Sequence, residues 1–426
     1  MRANLGDADN GINEMEDAMK RIVLIMVAVA FTFTANAQVK ISDTEDTKLY
    51  ITLNTVGTLQ TLDQKNAFDP KGTALPNITS GMQTAFGDLG FLGKFGKKQE
   101  IEMYFDLYLA SRNHPSQTYG NQGYLILHGV PENLTSLKFL NPILSRVDMK
   151  AGAFLLDFGD QLDHRSNNAI VQKNPLVGNF VVDPNLVSIG GEVMSKPGGR
   201  YGWLAGVSNG TNTEDYSVGR GIAYNGKAWL YPVQSVRLSG SVFNVNHSDS
   251  ASSTATLFSG NRSGERYGAV LGGGQAPGDI LPGKGKRILA YQGDLTYDAA
   301  NVPLKLYGHV GMTKDRDTNG PAAGRPQECW NYFAAEAKYN LTKTLYGAVR
   351  YSGAYADKLN DVKSDGKVDR IQIGGGLWMT KNILVKVEWV DQKYRGFVSG
   401  DVVNNGIAAW RNPEFKGMVS EVSFAF

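Results

Sequence analysis

Ile101-Glu102-Met103-Tyr104-Phe105-Asp106-Leu107-Tyr108-Leu109 is the stretch that decides the fold. Ile101, Met103, Phe105, Leu107 and Leu109 fall on one side of an extended chain. Glu100, Glu102, Tyr104, Asp106 and Tyr108 fall on the other. A period of two belongs to a β-strand, because successive side chains of a strand point to opposite faces. In a soluble sandwich the apolar face would be core. In a membrane barrel it faces lipid, and the polar face lines a wet lumen.

The same alternation continues to the end of the chain. Leu304, Leu306, Val310 and Met312 oppose Lys305, Tyr307 and His309. Leu345, Val349 and Tyr351 oppose Tyr346, Arg350 and Ser352. Ile371, Ile373 and Leu377 oppose Arg370 and Gln372. Ile383, Val385, Val387 and Trp389 oppose Lys386 and Glu388, and Met418, Val422, Phe424 and Phe426 oppose Glu421 and Ser423. Short links rich in Gly, Pro, Asn or Lys fall at 96–98, 196–199, 231–234, 298–301, 340–343 and 379–382. Long polar connections fall between them, at 58–80, 111–121, 157–185, 210–220, 248–285, 314–328, 356–366 and 394–412. Outer-membrane barrels alternate short periplasmic turns with long external loops. That rule places the weak strand pattern at 264–273 inside a loop and makes 131–146 a long periplasmic link, with a short helix expected around Leu134, Leu137, Leu140 and Leu144. The expectation is an all-β, transmembrane, antiparallel up-and-down barrel of about 16 strands, wide enough to leave an aqueous channel.

The N-terminal region points to export. Lys20-Arg21 precedes a 13-residue apolar run, Ile22 to Thr34, and Ala35-Asn36-Ala37 supplies small residues for cleavage before Gln38. The run is too short to span the roughly 30 Å hydrocarbon core as a helix. Residues 1–18 carry five carboxylates against Arg2, which does not suit a signal, so Met19 is expected to be the true start. The domains are then 1–18 as a mis-assigned start, 19–37 as a signal peptide and 38–426 as one barrel. Residues 1–37 hold three basic and five acidic residues, so the formal charge rises from +2 to +4 on their removal. That balance gives no reason to expect a nucleic-acid partner. Cys329 is the only cysteine, which excludes a disulfide framework within the chain. The 50 glycines and 10% aromatic content suit a barrel, and no 18-residue apolar stretch follows Thr34.

Val422-Ser423-Phe424-Ala425-Phe426 resembles the terminal sorting signal of bacterial outer-membrane barrels. Val147-Asp148-Met149-Lys150-Ala151-Gly152-Ala153-Phe154-Leu155-Leu156-Asp157-Phe158-Gly159 resembles a strand-to-loop segment of the phosphate-selective porin O and P family. Ile189-Gly190-Gly191 and Ala205-Gly206-Val207-Ser208-Asn209-Gly210 resemble that family's next two strands. The resemblance covers about 60 residues and implies a 16-stranded homotrimeric porin of the bacterial outer membrane. Its partners would be the lipid bilayer and small hydrophilic solutes or inorganic anions, with no cofactor. It does not carry phosphate selectivity over. By strand parity the lumen receives Lys150, Arg237, Lys305, Lys338, Arg350, Arg370 and Lys386 against Glu100, Glu102, Asp106, Glu336, Glu388 and Glu421, which is not a one-signed pore.

In trimeric general porins the third external loop folds inward, so the resemblance makes 157–185 the expected constriction. Its charges are Asp157, Asp160, Asp163, His164, Arg165, Lys173 and Asp183. Opposed acidic and basic groups across a narrow passage set a transverse field that sorts solutes by charge and dipole. The pore-wall residues of first interest are Glu102, Asp106, Lys305, Arg350, Arg370 and Lys386. Glu336 and Arg350 fall on neighbouring strands, as do Arg350 and Arg370.

Other classes find less support. Gly206-Val207-Ser208-Asn209-Gly210 matches the G-x-S-x-G pattern of serine hydrolases, but no helix follows it to expose the serine. His114, His128, His164, His247 and His309 show no metal-ligand spacing, and Gly374-Gly375-Gly376 precedes no helix. A barrel plugged by its own loops, acting as an adhesin or a structural protein, is the alternative. Trp203, Trp229, Trp330, Trp378, Trp389 and Tyr231 fall near strand ends, where membrane-interface girdles are expected.

Overall fold

The computed structural model describes residues 39–82, 86–111, 117–210, 222–246, 257–258, 267–272, 278–282, 287–315, 327–359, 362–403 and 407–426. The expected signal peptide, His114 and His247 lie outside them. Sixteen antiparallel strands close into a barrel. They are β1 (Thr47–Lys65), β2 (Phe86–Phe95), β3 (Ile101–Ala110), β4 (Tyr119–Leu127), β5 (Val147–Leu155), β6 (Val187–Ser195), β7 (Tyr201–Ser208) and β8 (Ala223–Val233). The second half comprises β9 (Val236–Asn246), β10 (Arg287–Asp298), β11 (Leu304–Asp315), β12 (Glu328–Asn340), β13 (Leu345–Leu359), β14 (Lys367–Trp378), β15 (Ile383–Arg395) and β16 (Glu414–Ala425). Every strand pairs with its sequence neighbours, and β1 pairs with β16 from Asn54↔Ala425 to Lys65↔Glu414. Closure leaves no free sheet edge and gives each backbone group a partner away from water.

Both chain ends complete the seam. β1 extends past the end of β16, and Val39–Asp43 pairs with its exposed start, from Val39↔Ile51 to Asp43↔Lys48. Between the two segments, Leu53 N donates to Phe426 O at 2.5 Å and Phe426 N donates to Leu53 O at 2.9 Å. The terminal phenylalanine therefore closes the ring through its backbone.

Side-chain alternation follows the sequence reading. Met103, Phe105, Leu125, Leu306, Val310, Val349 and Ile373 are exposed on the outer face. Asp106, Tyr108, Tyr307, His309, Arg350, Arg370 and Glu388 are buried on the inner one. Three expectations change. β1 runs to Lys65 and β13 to Leu359, so the first and seventh loops are shorter than expected. Trp330 belongs to no girdle: it faces inward, buried, and packs against Phe397. Residues 267–272 of the doubtful 264–273 segment form turns and a short 3-10 helix, as a loop assignment requires. The link between β4 and β5 carries a 3-10 helix, Thr135–Leu140, followed by one α-turn, Asn141–Leu144.

Candidate functional site

The third loop, 156–186, does not stand out in solvent. It folds into the barrel, and nearly all of residues 174–186 are buried. Leu156, Phe158, Val177, Phe180, Val181, Val182 and Leu186 lose almost all contact with water. A loop placed in a barrel brings its own backbone N–H and C=O groups with it, and each needs a partner. The inward polar residues of the wall supply them, from strands on two arcs of the ring.

On one side, Asp88 of β2 accepts from Ala169 N at 2.6 Å and from Asn168 Nδ2 at 3.2 Å, and the Tyr108 hydroxyl of β3 donates to Asn167 at 3.0 Å. On the other, Glu388 of β15 accepts from Val177 N at 2.7 Å and Gly178 N at 3.0 Å. Lys386 Nζ donates to the carbonyls of Val171, Asn174 and Leu176 at 3.0, 3.2 and 2.8 Å, and also pairs with Glu421 at 2.7 Å. Arg350 of β13 forks onto Glu336, its register partner on β12, at 2.8 and 2.5 Å. It also donates to Gly178 O, His164 O and Asn174 Oδ1 at 2.8, 2.8 and 2.9 Å, with its guanidinium 4.0 Å from the centre of the Phe180 ring. His164 Nδ1 lies 2.8 Å from the other Glu336 oxygen, and the imidazole stacks on Tyr307 at 4.1 Å.

A second loop follows the third inward. Tyr267 donates its hydroxyl to Glu388 Oε1 at 2.5 Å, and Asp279 pairs with Arg370 at 2.9 Å. Arg370 also donates to Asn179 O of the third loop at 3.1 Å. Glu388 and Arg370 thus each hold both loops. Gln60 and Gln64 of β1, two strands round the ring from Glu388, bind Gly268 and Leu271. Between the loops, Leu257, Phe258, Val270, Leu271 and Ile280 join Val177, Val181, Val182 and Leu186 in one dry cluster. They also meet at Gly178: a Cβ there would run into the Tyr267 hydroxyl, so the contact requires glycine.

The expected site residues divide accordingly. Asp157 stays in contact with water, with its side chain 41% exposed and 2.6 Å from Lys227. Asp163 and Lys173 are exposed inside the barrel. Asp160 is buried between Lys227 at 2.9 Å and Arg237 at 3.3 Å. Arg165 is a correction to the constriction reading: it is fully buried and forks onto Asp183 at 2.6 and 2.7 Å within the loop. A buried charge needs a partner, and this one is spent on holding the loop's shape. We expect Arg165→Ala to make the loop unsteady without a sustained shift of reversal potential; a clean shift towards cations at unchanged current noise would return Arg165 to the passage.

On the wall, Arg350, Arg370 and Lys386 are likewise covered by loop and do not face a passage. Asp106 is occupied by Gln122 N at 2.6 Å and Asn121 Nδ2 at 3.1 Å, at a bulge where β3 and β4 slip register. Glu102 pairs with Lys94 at 3.3 Å, and Lys305 with Asp298 at 2.5 Å near a periplasmic turn. Beneath the third loop remains a cavity of about 400 Å³, lined among others by Asp163, His164, Lys173, Arg237, Lys305 and Lys338. Parity counting passed over inward Asp88, Asp148, Glu192, Lys227 and Asp294, all buried. The apolar run Leu176-Val177-Gly178-Asn179-Phe180-Val181-Val182 was the available signal that this loop is not solvated.

No family model matches the sequence, and no curated protein matches it. Solved structures do match in fold. An anion-selective porin from Comamonas acidovorans superposes with a TM-score of 0.57 at 11% identity, over 89% of this chain and all of that one. The outer-membrane channel DcaP of Acinetobacter baumannii gives 0.53 at 10% identity, over 91% and 99%. OmpT of Vibrio cholerae in its trimer form gives 0.52 at 8%, over 89% and 100%. The chain has the fold of bacterial outer-membrane porins, with a lipid-facing exterior to match.

Proposed function

We propose that this protein is a porin of the bacterial outer membrane that lets small hydrophilic solutes or ions diffuse passively. The observation that carries the reading is the closed 16-stranded barrel with a third loop folded inward that leaves Asp157, Asp163 and Lys173 in contact with water. A charged, partly wet interior suits water-borne solutes. Export through residues 19–37 and assembly as a homotrimer belong to the same reading. The resemblance of residues 147–210 to the phosphate-selective porin O and P family supports the trimer.

Charge preference is expected to be weak. Among the described residues neither Lys173 nor Lys338 has a carboxylate oxygen within 4.0 Å, which favours phosphate-like anions. The inward carboxylates that parity missed act against it. In planar bilayers the refolded protein is expected to give discrete openings, and reversal potentials in a salt gradient give the preference. Lys173→Gln is expected to move the reversal potential towards cations and Asp163→Asn towards anions; equal shifts of one sign would remove both from the passage.

The plugged-barrel reading has one observation in its favour, the dry cluster between the two inward loops. A correctly inserted barrel that never opens would support it and sink the porin.

A further inference from the structure

Six of the seven periplasmic connections are hairpin turns of two to five residues. The seventh, 128–146 between β4 and β5, has 19. Backbone hydrogen bonds from Leu134 N to Pro131 O, Leu137 N to Leu134 O, Ser145 N to Asn141 O and Arg146 N to Ile143 O give it a fixed shape, and Asn141 Oδ1 accepts from Val130 N. Only Leu144 is buried. Phe139 is 71% exposed and Ile143 54%, with Leu134 and Leu137 beside them. An ordered link that leaves four large apolar side chains uncovered is placed to meet an apolar surface outside the chain.

We propose that this connection is an interfacial anchor, with Phe139 and Ile143 seated at the headgroup–acyl boundary of the inner leaflet. The inference rests on the barrel spanning the outer membrane. Continuity selects lipid as the occupant. β4 and β5, which carry the connection, present Leu125 and Met149 outward; the same rim presents Tyr201 and Trp203 at the start of β7, two strands from β5, and, across the ring, Tyr339 at the end of β12 and Leu341 just after it. Phe139 and Ile143 extend that apolar ring where the β4–β5 junction offers no strand-borne aromatic on the outer face. Lys138 and Arg146, both exposed, flank them against the single acid Glu132, which suits phosphate headgroups. Aromatic side chains next to basic ones are the usual occupants of a membrane–water interface.

The test uses the full barrel in phospholipid vesicles, with Cys329→Ser to remove the only native thiol. A polarity-sensitive fluorophore is attached at Phe139→Cys, at Ile143→Cys, and as an insertion control at Val310→Cys on the outer face of β11. Quenching by lipids with a nitroxide near the headgroup is compared with quenching by aqueous iodide. Lipid quenching at 139 and 143 is expected to be of the same order as at 310, with little effect of iodide. If 310 is lipid-quenched while 139 and 143 respond to iodide, the anchor is wrong and the barrel stands. Protection of 139 and 143 from both quenchers would place a protein partner there and equally overturn it. Absence of lipid quenching at all three sites would overturn the spanning barrel itself.

Discussion

Glu388→Ala is expected to raise single-channel conductance and current noise more than any other single wall substitution. The carboxylate is fully buried and holds Val177 N, Gly178 N and the Tyr267 hydroxyl at once. Alanine leaves at least two buried N–H donors without partners, each costing about 1–3 kcal/mol. Both inward loops depend on the same side chain, so both loosen. The wall does not depend on it, because β14 and β15 keep their full ladder from Lys367↔Arg395 to Trp378↔Leu384. Since about 1.4 kcal/mol is tenfold in an equilibrium constant, the undocked population should rise at least about tenfold. Glu388→Gln keeps one acceptor oxygen and should fall between the two. Wild-type conductance and noise in Glu388→Ala would show that the loops are held elsewhere.

Arg350→Ala is expected to have the largest effect on the third loop's own stability. Removing the guanidinium strands Glu336 in the interior, for which a cost of about 3–5 kcal/mol is typical. It also strips donors from two loop carbonyls and from Asn174. Arg350→Lys should rescue little, because an ammonium cannot fork onto a carboxylate and still reach three further acceptors. Arg350→Ala with Glu336→Gln should recover part of the loss, since the stranded charge is gone. Protease sensitivity of residues 157–186 in reconstituted vesicles reads this directly. Equal protection of wild type and Arg350→Ala would dismiss the pair as a fastening.

Much of this was legible in the chain. Alternation in 101–109 and its repeats gave the strands and their faces, since a period of two needs no knowledge of neighbours. The rule of short and long links then gave the strand count and turned Gly264 to Gly273 into loop. The count put Glu336 and Arg350 on neighbouring strands, and the structure makes them register partners joined in one forked ion pair. The periplasmic helix near Leu134 to Leu144 was likewise readable.

The lumen was not. Parity says that Arg350, Arg370, Lys386 and Glu388 point inward, but not what meets them there. Their partners lie about 90 to 215 residues away, at Asp279, Gly178, Leu176 and Tyr267 among others, and no local pattern encodes a hydrogen bond across a barrel. Charges that would line a wet wall by sequence are instead spent on the backbone of two inward loops, because a loop drawn out of water must satisfy every N–H and C=O it carries. Sequence alone therefore determined a 16-stranded barrel with an apolar outside and a polar inside, as local periodicity allows. Only the tertiary structure decided which of the inward charges still meet water and which hold the two inward loops.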